Sequence, residues 1–275
     1  MILTVDTGGT KTRIATFDDD GNINHEVQYE TPHDTGEYIR VLVERINTEF
    51  NTAEASAIVV AVPGLVENGI VRWLGNLHWR DFDIASRLRS EFNNTLIWVE
   101  NDANLGAIGA MAHLEQDVKH GVYLTLSTGI RAAFTIDGQI SPDLEHAEIG
   151  HMVLEHDGQL VEWESFASGR AFFERTGGKF GAEVFDPDIW RDYARDVALG
   201  FLIMIPFFQP ETVVIGGSMG THFAKYGDFL RQFVDQALPS VFARPEIVPA
   251  TNPEHIVNYG ALIYAKQQLA SQETV

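Results

Sequence analysis

The 275-residue sequence contains no cysteine. Disulfides are excluded, and so is any zinc site built on thiolates. Basic residues are scarce: Lys and Arg total 19 against 39 Asp and Glu, a formal charge of −20. With no basic stripe, direct binding to a nucleic-acid backbone is disfavoured, and anionic surfaces should repel the chain. The excess of acid also sets a requirement. Any polyphosphate ligand must be held by backbone N–H groups, Mg²⁺ and a few local cations, because the overall field opposes it. Long apolar runs are missing as well. The most apolar stretch, Val197 to Phe208, is interrupted by Pro206 and falls short of the ~20 residues that a membrane span needs. Met1 leads straight into Ile2-Leu3-Thr4-Val5 without a basic n-region or a small-residue cleavage site. No secretion signal is read, and a cytoplasmic protein without membrane or nucleic-acid partners is expected.

Hydrophobic residues make up 45% of the chain and charged residues 21%, which suits one large domain or two modest ones with a sizeable core. Residues 2–7 read as a buried strand and Thr12 to Phe17 as its return, with the glycine turn Gly8-Gly9-Thr10-Lys11 between them. A second turn, Asp18 to Asn22, leads to a strand around His25 to Glu30. Tyr38 to Phe50 has helical spacing, with Ile39, Leu42, Val43 and Ile46 on one face. Buried strands are expected at Ala57 to Val62, ending in Pro63-Gly64, and at Leu96 to Val99, ending in Glu100-Asn101-Asp102; a helix of small residues follows over Ala103 to Leu114. The pattern then restarts. Gly121 to Leu126 is a strand, Ser127-Thr128-Gly129 a turn, Arg131 to Ile136 a returning strand and Asp137-Gly138 the next turn. A strand–turn–strand–turn unit repeated in this way implies two similar lobes with a central cleft. Helices over 166–175, 188–205 (leading into Pro206), 223–236 and 258–269, with strands at 212–215 and 247–249, complete an α/β alternation.

Four clusters carry candidate chemistry. In Asp6-Thr7-Gly8-Gly9-Thr10-Lys11 the glycines let backbone N–H groups approach phosphate oxygens, Asp6 could hold Mg²⁺ through water, and Lys11 could balance phosphate charge. A plain glycine turn is the alternative, and a Walker A loop is not present. In Glu100-Asn101-Asp102-Ala103-Asn104, at a strand's carboxyl end, a carboxylate can take a hydroxyl proton while an amide fixes the hydroxyl. An Asp/Asn helix cap explains the same residues. Glu148, His151 and Glu164 offer anionic and neutral hydrogen-bonding groups that suit a polyol; a metal site of His151 with Glu148, or a capping Glu164, stays open. Gly216-Gly217-Ser218-Met219-Gly220 is a strand–glycine–helix junction suited to a flat or phosphate-bearing ligand, or an ordinary loop.

As an ordered set these clusters resemble the ROK family of bacterial sugar kinases, within the actin-like ATPase superfamily. The family's DxGGTK loop stands here as Asp6 to Lys11, AxPG as Ala61 to Gly64, and NLxW as Asn76 to Trp79. NDAN is Asn101 to Asn104, ExGH is Glu148 to His151, the LExxxSG-like motif is Glu164 to Gly169, and VIGG is Val214 to Gly217. The resemblance implies an α/β, two-lobed actin-like ATPase (ribonuclease H-like) fold with duplicated βββαβα units. One lobe would comprise residues 1–114 plus 254–270 and the other 115–253. It implies phosphorylation of a hexose or amino sugar from ATP and Mg²⁺, glucokinase-like in class, with Asp102 as general base. Sugar ligands would be Gly64, Asn76, Asn101, Asp102, Glu148, His151 and Glu164. ATP would meet Asp6, Gly8, Gly9, Thr10, Lys11, Thr128, Gly129, Arg131, Gly216 and Gly217. Relatives in the family also suggest a homodimer.

Two departures stand out. The family's CxCGxxGC zinc motif is replaced by a shorter, cysteine-free loop containing Glu155-His156-Asp157, so no structural zinc is expected; those three residues read as a solvated turn, with a replacement metal site as the alternative. The family's GTGIGGG-like second phosphate loop reads Ser127-Thr128-Gly129-Ile130-Arg131-Ala132-Ala133. Arg131 either supplies a cation to phosphate or marks weak ATP use, another donor or lost catalysis. A catalytically weak or inactive sugar-binding or regulatory member of the family is therefore the competing expectation.

Overall fold

The computed structural model describes residues 1–51, 55–75, 77–179 and 181–273. The chain divides into two compact units, Met1–Gly109 with Val257–Val275, and Ala110–Ile256.

The first unit is built on β1 (Ile2–Thr7), β2 (Lys11–Phe17), β3 (Ile23–Glu30), β4 (Ala57–Val62) and β8 (Leu96–Asn101), in the order β3-β2-β1-β4-β8. β2 runs antiparallel to β1 and β3, while β1, β4 and β8 are parallel. Every residue of β4 is buried, as its unbroken Ala-Ile-Val-Val-Ala-Val run requires of a central parallel strand. Between β4 and β8 lie the small antiparallel sheet β5 (Leu65–Glu67), β6 (Ile70–Leu74) and β7 (Trp79–Asp83), then α2 (Ile84–Glu91). Helix α1 (Thr35–Glu49) follows β3 and is capped by Asp34, and α3 (Asp102–Ala112) follows β8. The core packs Leu3, Val5 and Ile14 with Leu42, Ile46, Val60, Trp79 and Leu88.

The second unit repeats the plan. Its sheet comprises β9 (His120–Leu126), β10 (Ile130–Ile136), β11 (Gln139–Ile140), β14 (Thr212–Gly216) and β15 (Glu246–Pro249), ordered β11-β10-β9-β14-β15. The antiparallel and parallel pairings fall in the same sequence as in the first unit, so the duplication seen in the motifs is present in the topology. The hairpin β12 (Val153–His156) and β13 (Gln159–Glu162) leads to α4 (Glu164–Ala167), α5 (Gly169–Arg175) and α6 (Pro187–Phe208). Helices α7 (Gly217–Gly220) and α8 (Phe223–Ala237) follow β14. The last helix, α9 (Ile256–Glu273), returns to the first unit. There Gly260 meets the Leu105 carbonyl so closely that a Cβ would collide with it, and Asn258 Nδ2 donates to Thr4 Oγ1 of β1 (3.0 Å).

Three local expectations are corrected. Helix α6 does not stop before Pro206 but runs on to Phe208. In the last turn proline removes a single intrahelical bond, and Gln209, left-handed at φ 52°, closes the helix on the Ile205 carbonyl. The helix over 166–175 is two pieces, split where Ser168 caps α5 through the Ala171 N–H. The turn in 155–157 is shifted: Glu155 and His156 lie in β12, and Asp157-Gly158, both at positive φ, turn the hairpin. Among the described residues no helix is long and apolar enough to cross a membrane.

Candidate active site

In the first unit, the glycine turn joins β1 to β2. The Gly8 N–H donates to the Lys11 carbonyl (2.8 Å), and a Cβ on Gly8 would lie 3.0 Å from that oxygen. Three buried threonines brace the turn from below. Thr31 Oγ1 donates to the Gly8 carbonyl (2.8 Å), and its N–H to the Thr10 carbonyl (2.9 Å). Having spent its own hydrogen, the Thr31 hydroxyl accepts from Thr12 Oγ1 (2.9 Å). Thr7 Oγ1 and the Tyr38 hydroxyl are 2.7 Å apart. Sequence reasoning missed Thr31 and Tyr38 because nothing local marks a residue that supports a loop more than 20 positions away.

Asp6, one residue before the end of β1, has its pKa pushed up to about 7, first by burial and then by the Asp102 carboxylate, against the opposing pull of Arg13. A buried carboxyl beside a second carboxylate forms a surplus of negative charge that a divalent cation relieves. Asp102 opens α3, but the capping rests on Asn101. Asn101 Oδ1 accepts from the N–H groups of Ala103 (2.9 Å) and Asn104 (3.1 Å), and its Nδ2 donates to the Gly64 carbonyl (2.8 Å). Asp102 Oδ1 shares the Ala103 N–H at 2.8 Å. A carboxylate in the first turn is also stabilised as an anion by the helix dipole. Gly64 has φ 109°, and a Cβ there would strike the Trp73 carbonyl, so glycine is required. Asn76 lies outside the described residues.

In the second unit, Glu164 and Glu148 are both anchored on the start of β10. Glu164 Oε2 accepts from the Ile130 N–H (3.2 Å), in a gap that exists because residue 129 is glycine: a Cβ on Gly129 would lie 2.7 Å from that oxygen. Arg131 Nη1 donates to Glu148 Oε1 at 2.6 Å. The turn before β10 closes on itself through the Ser127 N–H to the Gly129 carbonyl (3.0 Å), and the Ser127 carbonyl accepts from the Gly169 N–H (2.7 Å). Thr128 is exposed at its tip. At the start of α7, just past the neighbouring strand β14, Gly217, at φ 73°, sits where a Cβ would lie 2.7 Å from Thr125 Oγ1. Gly216 is paired with Thr125, so both glycines adjoin the end of β9.

His151 Nδ1 is 3.1 Å from Glu162 Oε2. Its pKa is raised, mainly by that hydrogen bond and further by the charges of Glu164, Glu162 and Glu148. One donor atom each from His151, Glu162 and Glu164 lie within 4.8 Å of one another. Three nitrogen and oxygen donors, two of them on exposed residues, do not fit the closed four-ligand cage of a structural zinc. The hairpin of β12 and β13 is held by other means. His156 stacks on Phe166 (4.1 Å between centroids, 14°) and places Nε2 3.3 Å from Asp196 Oδ1. Asp196, only 1% exposed, also pairs with Arg175, and its carbonyl accepts from Trp163 Nε1 (3.2 Å).

A family model described as ROK family matches residues 2–268. A glucokinase of Thermotoga maritima is 28% identical over 313 residues, covering 98% of this chain and 98% of that protein. A xylose repressor of Bacillus spizizenii is 25% identical over 221 residues, covering 71% of this chain and 57% of the repressor. Among solved structures, a ROK family glucokinase from Streptomyces griseus, in complex with glucose and AMPPNP, matches with a TM-score of 0.80 at 20% identity over 96% of this chain and 99% of that one.

Proposed function

Because the chain belongs to the ROK family and shares the actin-like ATPase fold of its solved relatives, we propose that it is a sugar kinase that transfers the γ-phosphoryl group of ATP to a hydroxyl of a hexose or amino sugar, with Asp102 as general base. The observation that carries this reading is the seating of Asp102. Asp102 stands where the carboxyl end of β8 meets the first turn of α3, its carboxylate on the Ala103 N–H beside Asn101, which caps α3 and holds the Gly64 carbonyl, and its charge acts on the buried Asp6. Asp102 takes the hydroxyl proton while the phosphoryl group transfers in line. Most of the acceleration comes from alignment and charge neutralisation. The sugar is held by Gly64, Asn76, Asn101, Asp102, Glu148, His151 and Glu164, and the phosphates by Gly8, Gly9, Thr10, Lys11, Thr128 and Gly129, with Gly216 and Gly217 at the adenosine. The Asp6 and Asp102 pair fits Mg²⁺; Asp6 would hold it through water, and the bound ion supplies charge neutralisation on the phosphates. Zinc has no structural part in this reading.

A second reading, a sugar-binding regulator with weak turnover, is favoured by the likeness to a xylose repressor and by Glu164 occupying the Ile130 N–H in the second loop. Coupled ADP release with a panel of hexoses and amino sugars decides between them. Turnover that is abolished by Asp102→Asn with sugar binding retained supports the kinase. Sugar binding without ADP release from any donor supports the regulator.

A further inference from the structure

We propose that Arg131 is a positioning residue for the sugar-side carboxylate Glu148, and that the Ile130 N–H and the Arg131 side chain serve the sugar rather than the phosphate, while Gly129 leaves them room; this rests on the kinase reading above. The three residues act in register. Gly129 leaves room for the Glu164 carboxylate, the Ile130 N–H holds it at 3.2 Å, and the Arg131 side chain holds Glu148 at 2.6 Å. The two carboxylates thus lean on consecutive residues at the start of one strand, which fixes their spacing. Neither partner of the ion pair is fully exposed, at 23% for Arg131 and 34% for Glu148, so salt screens it less than a surface pair. The charge pattern requires it too. Glu148, Glu162 and Glu164 all act on His151, and without Arg131 three acidic groups would face a single imidazole. A guanidinium committed to Glu148 orients that carboxylate's other oxygen and lowers the repulsion against Glu164.

The test uses wild type, Arg131→Ala, Arg131→Lys, Glu148→Gln and the Arg131→Ala/Glu148→Gln double variant. Sugar affinity is read by titration calorimetry without nucleotide; kcat and both KM values come from ADP release. Arg131→Ala should weaken sugar binding and raise sugar KM about tenfold, leave ATP KM within about twofold, and have no added effect in the Glu148→Gln background. Arg131→Lys keeps the charge but not the fork and should recover part of the loss; it carries the comparison if Arg131→Ala does not fold. A raised ATP KM with unchanged sugar affinity overturns the proposal, as do losses that simply add in the double variant. Wild type that binds sugar but releases no ADP sinks the kinase reading alone, since calorimetry still reads Arg131. Wild type that binds no sugar overturns both.

Discussion

The stability of the ligand-free protein should fall as pH rises through the range in which Asp6 titrates. In an unfolded chain this carboxyl ionises near 3.8; in the fold, burial and then the Asp102 charge push it up to about 7. A raised carboxyl favours the protonated form of the folded state. Its contribution is fully present below pH 3.8 and is lost as pH climbs towards 7, because the fold binds a proton that the unfolded chain releases. About three units at 1.36 kcal/mol each give about 4 kcal/mol. Asp6 retains some exposure, so water screens part of this and about 2 kcal/mol is expected. Asp6→Asn removes the ionisation at nearly constant shape. Urea denaturation of both proteins, with chelator and without ligands, at several values from about pH 4.5 to pH 8 gives the difference directly. The variant should gain on wild type by about 2 kcal/mol across that range while losing turnover, because the residue assigned to Mg²⁺ is gone. A gap between the two curves that stays constant with pH would refute the reasoning.

Other outcomes follow from the same geometry. Asp102→Asn should lower kcat by about 10²- to 10⁴-fold while calorimetric sugar affinity changes little. Metal analysis of the purified protein should find zinc well below one equivalent, and a chelator should leave its thermal unfolding unchanged; stoichiometric zinc would contradict the poor fit of His151, Glu162 and Glu164 to a closed cage. Asp196→Ala removes the shared partner of Arg175 and His156 from a buried position and should cost about 3 kcal/mol in denaturant unfolding; a loss near zero would show that the hairpin is held by packing alone.

The strands that carry the site were legible because burial imposes a pattern. Ala57–Val62 is apolar throughout since both its neighbours are parallel strands, and the repeated glycine turns after residues 7 and 126 marked the duplication. Leu65–Asp83 was not legible as three strands. Those strands are short, and polar residues such as Glu67, Arg72 and Asp81 interrupt their alternation. The hairpin at 153–162 was hidden for a related reason: Val153 and Leu160 face outward while His156 turns inward to Asp196, the reverse of the usual pattern. In the site, spacing marked Asp102, Glu148 and Glu164 as candidates, but only coordinates show which group holds which. From sequence Arg131 stood open between a cation for phosphate and a mark of weak ATP use, another donor or lost catalysis, and nothing local shows that its guanidinium donates to Glu148, 17 residues away.

The return of α9 to the first unit has a consequence for biosynthesis. Residues 1–109 leave the ribosome first, yet the helix that seats Gly260 against Leu105 and ties Asn258 to Thr4 comes after the second unit. Until then α3, which presents Asp102, lacks one of its packing partners. The second unit, unbroken in sequence, can collapse while the first still waits. A nascent chain therefore carries every proposed ligand of sugar and phosphate before it has a finished support for its proposed base, and truncation ahead of Ile256 would remove that support rather than a dispensable tail.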